Sequence, residues 1–291
     1  MGILNSHHIS NYYDFFRDKE VVLNKSNLRA LRMNPRMIYV KCNGGQWPCI
    51  INSTSMQMAT ILIGTGSGAY AEFNKKENCP VSLKYCFVDN DNNPIQFFVS
   101  STVQEIKGFQ QSTDLAMVKL VFTQRPPDDL IERLGEFLQV NDNFEKKSEE
   151  GIPLTKDSIR ELGLPKEESY IFVENVPRKC ILKEISFIGA KLLFVGVPKF
   201  LINKKATLGL MFSDSSEKIS LTGVIKNAVF LPNRQDICVV LLEFDKEEIP
   251  MSYKFRINKY LTSYSKQLIE KQMLNDKARQ ASAEEESANQ K

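Results

Sequence analysis

The chain has 291 residues, of which 42% are hydrophobic and 25% charged, which is ordinary for a globular protein of two domains. Its net charge of +3 is too small to argue for a nucleic acid as the main partner. No stretch approaches the roughly 18 apolar residues of a membrane span, and no basic and apolar export signal opens the chain, so we expect a cytoplasmic protein.

The first block, residues 37–122, has the pattern of an all-β domain. Short runs rich in Val, Ile, Phe and Tyr alternate with clusters of Asn, Gly, Asp and Pro, which predicts strands joined by turns. Strands of this length at regular spacing are typical of an antiparallel barrel or sandwich. Before them, residues 11–36 predict one or two helical turns with a connecting strand. We therefore assign residues 1–123 to a first β-barrel domain.

The glycine-rich sequence GTGSG, residues 64–68, lies inside this domain. Such a loop holds phosphate where it opens a helix whose amides face the anion. The following AYAEF is typical of a strand, and no Lys-Ser/Thr pair follows as a P-loop requires. The sequence therefore predicts a hairpin loop here.

Helical patterns occupy the middle of the chain, residues 124–166. Pro127 and the two acids after it suit a helix start, and apolar residues follow at helical spacing. After the charged residues 145–150, Thr155 is predicted to cap a short second helix that ends at Gly163. We interpret this region as a helical linker.

A second strand-rich block spans residues 170–244 and predicts a second β-barrel, assigned to residues 167–250. A C-terminal helix is predicted over 251–276, followed by a disordered polar tail, 277–291. The helix has one apolar stripe, which must pack against the barrel or against a second copy of the chain. The stripe consists of Ile257, Leu261, Tyr264 and Leu268.

Residues suited to catalysis or metal binding are sparse. The two histidines, His7 and His8, are adjacent near the N-terminus, so a Ser or Cys nucleophile lacks an evident base. The six cysteines show no C-x-x-C spacing, which argues against a zinc site and predicts buried, reduced thiols. We expect neither an enzyme nor a bound cofactor or metal. The cysteines are Cys42, Cys49, Cys79, Cys86, Cys180 and Cys238.

The sequence KEISFIGAK, residues 183–191, interrupts two apolar runs with polar residues. Glu184, Ser186 and Gly189 stand at positions i, i+2 and i+5. Polar residues so placed between two strands indicate either a turn that binds a ligand or a turn that merely connects the strands.

Four stretches between residues 124 and 261 follow one another in a recognisable order. They are QRPPDDLIERLGEFL, EKKSEEGIPLTKDSIRELGL, PRKCILKEISFIGAKLLFVG and IPMSYKFRINKYL. On these stretches, residues 124–258 resemble the PilZ family of cyclic di-GMP receptors, most of all the spirochaete proteins in which a PilZ-N-like barrel precedes a PilZ barrel. The resemblance implies a mainly β fold with two β-barrel domains, connecting helices and a C-terminal α-helix.

Family members carry an R-x-x-x-R motif before the barrel and a [D/N]-x-S-x-x-G motif on it. The arginines offer planar donors to phosphates and guanine, and the short acid or amide accepts from guanine. Here Ser186 and Gly189 match, whereas Glu184 is longer than the family's acid. Lys147 and Gly151 stand at the two arginine positions, with Lys146 beside them. The resemblance thus implies a degenerate cyclic di-GMP site.

The resemblance implies a non-enzymatic effector or adaptor in cyclic di-GMP signalling and in the control of motility. Such a protein acts through protein contacts, here with weak or lost nucleotide binding. One alternative is a working receptor in which the N-terminal barrel, or Arg178 and Arg160, replace the missing arginines. Another is that Ser186 and Gly189 only shape a turn. A third is nucleic-acid binding by the first domain. Its basic and aromatic candidates are Arg29, Arg32, Arg36, Tyr39 and Lys41.

Overall fold

The computed structural model describes residues 2–75, 79–89, 91–110, 112–164, 169–213 and 218–264, with the side chains of the first helix described from residue 8 onward. The chain divides into two compact units, Met1–Asn141 and Asp142–Lys291. Strands dominate both units, which confirms the mainly β fold class. No helix among the described residues combines the length and the apolar composition needed to cross a bilayer.

The first unit is built on one antiparallel sheet of eight strands in the order β1-β4-β5-β8-β7-β6-β2-β3. Inward-facing residues alternate along its strands, as in β5, where every second side chain is buried. Its elements are α1 (Gly2–Phe16), β1 (Val21–Val22), α2 (Lys25–Ala30), a 3-10 helix (Pro35–Met37), β2 (Tyr39–Cys42), β3 (Gly45–Pro48), β4 (Ile50–Thr54), β5 (Met58–Gly64), α3 (Gly68–Phe73), β6 (Pro80–Val88), β7 (Pro94–Gly108) and β8 (Leu115–Phe122).

The second unit contains a closed barrel. Its six strands pair in the order β10-β13-β14-β15-β12-β11, β11 pairs back onto β10, and the short β9 adds to the outer edge of β11. The elements from the linker onward are α4 (Asp128–Lys146), β9 (Ile152–Pro153), α5 (Lys156–Leu162), β10 (Ser169–Val173), β11 (Val176–Ile185), β12 (Gly189–Val195), a 3-10 helix (Pro198–Phe200), β13 (Lys205–Met211), β14 (Lys218–Phe230), β15 (Ile237–Phe244) and a C-terminal helix, residues 251–264.

Both linker helices begin where the sequence predicts, and α5 also ends at its predicted residue. Helix α4 begins at Asp128, directly after Pro127, with two acids in its first turn. Helix α5 is capped by Thr155, whose side chain accepts from the Ser158 amide, and it ends at Gly163 with φ of 69°. Glycine suits that left-handed position because it has no Cβ.

The C-terminal helix packs into the second unit's own core. Ile257 and Leu261 are buried there with Tyr253, whereas Tyr264 is 44% exposed and Leu268 lies outside the described residues. The buried part of the predicted stripe therefore covers the barrel and is not open to a second copy of the chain. The predicted tail, 277–291, also lies outside the described residues.

One local expectation was incomplete and one was wrong. Residues 11–36 contain the expected helical turns and connecting strand, but α1 already begins at Gly2 and is 15 residues long. Its Tyr12 packs against Gly135 and donates to Gln139 at 3.1 Å, partners more than 120 residues away. The sequence AYAEF is helical, since the Ser67 hydroxyl caps helix α3 by accepting from the Tyr70 amide. The GTGSG loop thus opens a short helix, where a hairpin between strands was expected.

The predicted burial of the cysteines is confirmed. All six thiols are buried and none is in a disulfide. Burial raises the pKa of Cys49 to about 12, so its thiol stays protonated and unreactive at neutral pH.

Candidate functional site

The turn between β11 and β12 carries two of the predicted site residues. The Ser186 amide donates to the Gly189 carbonyl at 2.8 Å, and the Ser186 hydroxyl accepts from the Ile188 amide at 3.3 Å. A Cβ atom at position 189 would lie 2.9 Å from the Leu242 carbonyl oxygen, so glycine is what lets β15 pair closely with β12. Both residues therefore shape the turn, whether or not a ligand binds there.

Strand β9 places the end of the degenerate basic motif beside the turn. It pairs with the end of β11, with Pro153 opposite Glu184. A Cβ atom on Gly151 would overlap the Glu184 carboxylate. The structure thus brings together one residue from each motif, and it puts a negative charge where the family's second arginine would begin.

A cleft of about 570 Å³ lies next to this turn. Its volume is within the range of small-molecule pockets, roughly 300–1,000 Å³. Its charged lining residues are Glu149, Glu184, Glu243 and Lys191, and the apolar lining includes Val229, Val239 and Leu241.

Carboxylates outnumber cations around the cleft. Lys226 lies 3.8 Å from Glu243 and offsets part of its charge, but the ion pair is half exposed and therefore weak. Glu149, from the segment after α4, and Glu184, from β11, both line the cleft, and Lys191 is the one cation that lines it among the described residues. An anionic ligand entering the cleft would meet net negative charge.

The two lysines of the basic motif lie outside the cleft lining. Lys146 forms an ion pair with Asp142 at 2.8 Å, one helical turn earlier in α4. Lys147 lies 4.0 Å from Glu150. Both lysines are thus close to acids of their own segment.

The substitute arginines are also placed away from the cleft. Arg178 is the third residue of β11, and six steps of about 3.3 Å each place it about 20 Å from Glu184 along the strand. Its guanidinium donates to the Val195 carbonyl at 3.2 Å. Arg160 is exposed on α5 and pairs with Asp157 at 3.2 Å. The structure brings neither side chain to the turn.

A tyrosine of the C-terminal helix is hydrogen-bonded to the turn. The Tyr253 hydroxyl donates a short hydrogen bond to the Ser186 carbonyl, and the Tyr253 ring packs edge-on against Phe244. Burial raises the pKa of Tyr253 well above its ordinary value, so the hydroxyl keeps its proton and remains a donor. The shape of the turn therefore depends on the C-terminal helix.

We expect Tyr253→Phe to lower the free energy of unfolding by about 1–3 kcal/mol, because the buried Ser186 carbonyl loses its donor. Urea unfolding followed by circular dichroism measures this. Tyr264→Phe is the matched control, since Tyr264 is 44% exposed and its ring stacks on Tyr260; we expect a change within about 0.5 kcal/mol. Equal effects of the two substitutions would show that the Tyr253 hydroxyl does not support the turn.

The basic residues of the first unit fall into separate groups. Arg29 and Arg32 line a second cleft, which Arg36 does not line. Tyr39 and Lys41 lie on β2, where the Lys41 ammonium is 4.6 Å from the Phe98 ring centroid. The five residues considered for nucleic-acid binding do not form one continuous group.

No cluster of three or more metal-ligating side chains occurs among the described residues. His8 packs edge-on against Tyr12, with ring centroids 4.4 Å apart. Glu149, Glu184 and Glu243 form an acidic rim around the barrel cleft. Of these acids, Glu243 was missed in the sequence, because it reaches the turn through the pairing of β15 with Gly189, which no local pattern reveals.

Comparison with known proteins identifies the family. Residues 7–141 match the PilZN3 domain. A cyclic di-GMP binding protein of Treponema denticola is 33% identical over 264 residues, which cover 90% of this chain and 84% of that protein.

Two solved structures are more distant. The Borreliella burgdorferi PlzA protein in complex with c-di-GMP is 19% identical, with a TM-score of 0.39, over 88% of this chain and 99% of that one. The Bacillus subtilis inhibitor of motility is 11% identical, with a TM-score of 0.30, over 78% and 94%. On the Treponema relative and the PilZN3 match, the chain belongs to the PilZ-domain family, with its PilZN3 domain over residues 7–141.

Proposed function

We propose that this protein is a non-enzymatic, cytoplasmic PilZ-type effector of cyclic di-GMP signalling that acts through protein contacts and binds the nucleotide weakly. The observation that carries the proposal is the Glu184 carboxylate, which occupies the space beside Gly151 where the family's second arginine would extend. Cyclic di-GMP carries two phosphodiester charges, and they would meet an acidic rim.

The size of the expected loss follows from the missing contacts. A hydrogen bond to a charged group contributes about 1.5–3 kcal/mol, so two weakened arginine contacts cost about 3–6 kcal/mol. At 1.4 kcal/mol per tenfold change, affinity falls by about two to four decades. Lys147 cannot replace a guanidinium, because an ammonium lacks the planar pair of donors.

A protein-contact role is supported by the outer face of the barrel. Cross-strand pairs align Ile181, Leu193, Val239 and Val229 in one row over β11, β12, β15 and β14. Ile181 and Val229 are more than half exposed. Exposed apolar patches of this kind mark interaction sites. With carboxylates beside it, the face suits a partner segment that combines apolar side chains with Lys or Arg.

A working receptor is the second candidate, because the Treponema relative is described as a cyclic di-GMP binding protein. Calorimetric titration of the full chain with cyclic di-GMP, with cyclic di-AMP and GTP as controls, separates the two. If cyclic di-GMP gives little or no heat of binding at physiological salt, the result supports an effector that binds the nucleotide weakly. Tight, selective binding would establish the receptor.

The contact role has its own test. A basic, apolar partner should cross-link to a photoreactive residue placed at Val229 and should lose this contact in Leu241→Lys, which removes an apolar side chain and adds a charge that repels the partner. Val176 is the matched control site, since it is 53% exposed, against 51% for Val229, but lies at the β10–β11 hairpin. Equal cross-linking at Val229 and Val176 would contradict a specific contact face.

A further inference from the structure

The first unit has a cleft of its own, of about 600 Å³, between helix α2 and the turn that follows β6. Its lining contains three cations and no carboxylate among the described residues, which is the opposite of the barrel cleft. The polar lining residues are Lys25, Arg29, Arg32, Asn34 and Asn92, and the apolar ones are Leu28, Met33, Pro35 and Val88.

Helix α2 carries two of the cations on one face. Asn24 caps the helix by accepting from the Asn27 amide, which fixes where it begins. Lys25 and Arg29 are four residues apart, so they are neighbours on the helix surface. Like charges at this spacing destabilise an isolated helix. Their placement is therefore not explained by helix stability.

Arg32 holds a position that normally belongs to glycine. Its φ is 53°, its amide donates to the Arg29 carbonyl at 3.0 Å, and the Met33 amide donates to the Leu28 carbonyl at 2.9 Å. This is the Schellman pattern that ends a helix, and its left-handed residue is usually glycine because a Cβ is strained there. An arginine in this strained backbone conformation indicates that its side chain has a function.

The Arg32 side chain is held by the opposite wall of the cleft. Its guanidinium donates to the Asn92 side-chain oxygen at 3.2 Å. The pKa of Asp89 nearby is lowered, mainly by the Asn93 amide that donates to its carboxylate and to a smaller extent by Arg32. The Asp89 carboxylate therefore attracts the Arg32 guanidinium, although Asp89 does not line the cleft.

We propose that this cleft binds a mononucleotide, with its phosphates on Lys25, Arg29 and Arg32 and its base on the apolar floor. Guanidinium groups match phosphate oxygens with paired donors, and lysine adds a point charge. A volume of about 600 Å³ is suitable for a small ligand. The proposal is independent of the barrel cleft, because all of its residues lie in the first unit.

The test uses the full chain and a fluorescent GTP analogue, with ATP, GTP and pyrophosphate as competitors. Arg29→Gln and Arg32→Gln should each weaken binding about tenfold or more, since each removes a charged hydrogen bond. Arg36→Gln is the control: it removes the same charge from an exposed residue that does not line the cleft, and it should change binding less than about twofold.

Arg32→Gly separates ligand binding from folding. Glycine suits the left-handed backbone, so the melting temperature should stay the same or rise while nucleotide affinity falls as in Arg32→Gln. The proposal is overturned if the wild-type protein binds none of the probes, or if Arg36→Gln weakens binding as much as Arg29→Gln. It is also overturned if a single-stranded oligonucleotide binds and mononucleotides do not. Cyclic di-GMP titration of Arg29→Gln reports on the barrel cleft separately.

Discussion

The triple variant Lys147→Arg, Gly151→Arg and Glu184→Asp is expected to bind cyclic di-GMP about two to four decades more tightly than the wild-type protein, as the contact energies imply. The two arginines restore planar donors, and the shorter acid moves its carboxylate out of the space beside position 151. Calorimetry of both proteins at the same salt concentration measures the gain.

The three substitutions should not act independently. In Gly151→Arg alone, the new side chain must displace the Glu184 carboxylate and then forms an ion pair with it, so much of the added charge is neutralised. We therefore expect Gly151→Arg and Glu184→Asp together to gain more than the sum of the two single gains, because the residues are in contact. Additive effects would show that Glu184 does not block the position. A triple variant without any gain would mean that the barrel surface itself cannot accept the ligand.

Phe187→Ala should lower the free energy of unfolding of the second unit by about 3–5 kcal/mol, the usual cost of removing a buried aromatic ring. Phe187 is completely buried directly after Ser186, and its ring packs edge-on against Phe144 at 5.7 Å. The Lys254 ammonium lies over the Phe144 ring, 3.7 Å from its centroid. The substitution thus removes the contact that ties the turn to α4.

Chemical denaturation followed by circular dichroism measures this loss. Phe200→Ala is the control, because Phe200 is 65% exposed in the same unit and should change stability by less than about 0.5 kcal/mol. The single tryptophan, Trp47, lies in the first unit and reports on its folding separately. A Phe187→Ala protein as stable as Phe200→Ala would contradict the packing described for the turn.

Elements with strong local signals were predictable from the sequence. The acids and proline before α4 and the Thr155 cap with Gly163 around α5 mark helix ends, because backbone groups there need local partners. Strand content was readable from β-branched and aromatic runs. These features depend on neighbours in the sequence.

Features that depend on distant partners were not predictable. Helix α1 includes Tyr12, which packs on Gly135 more than 120 residues away. Glu243 joins the acidic rim of the barrel cleft because it pairs across from Gly189. In the same way, Arg178 is only six residues before Glu184 in the sequence. Because the strand is extended, Arg178 lies near the opposite end of β11 from the turn. Strand register decides such placements, and the order of residues along one chain does not specify it.

Hydrogen exchange of the backbone amides, measured with and without cyclic di-GMP, tests most directly whether the barrel cleft is a nucleotide site whose charge has been reversed. At equal ligand concentrations, residues 149–153 and 184–190 should become protected in the triple variant and stay unchanged in the wild-type protein. Protection of these segments in the wild-type protein, as strong as in the triple variant, would contradict the account.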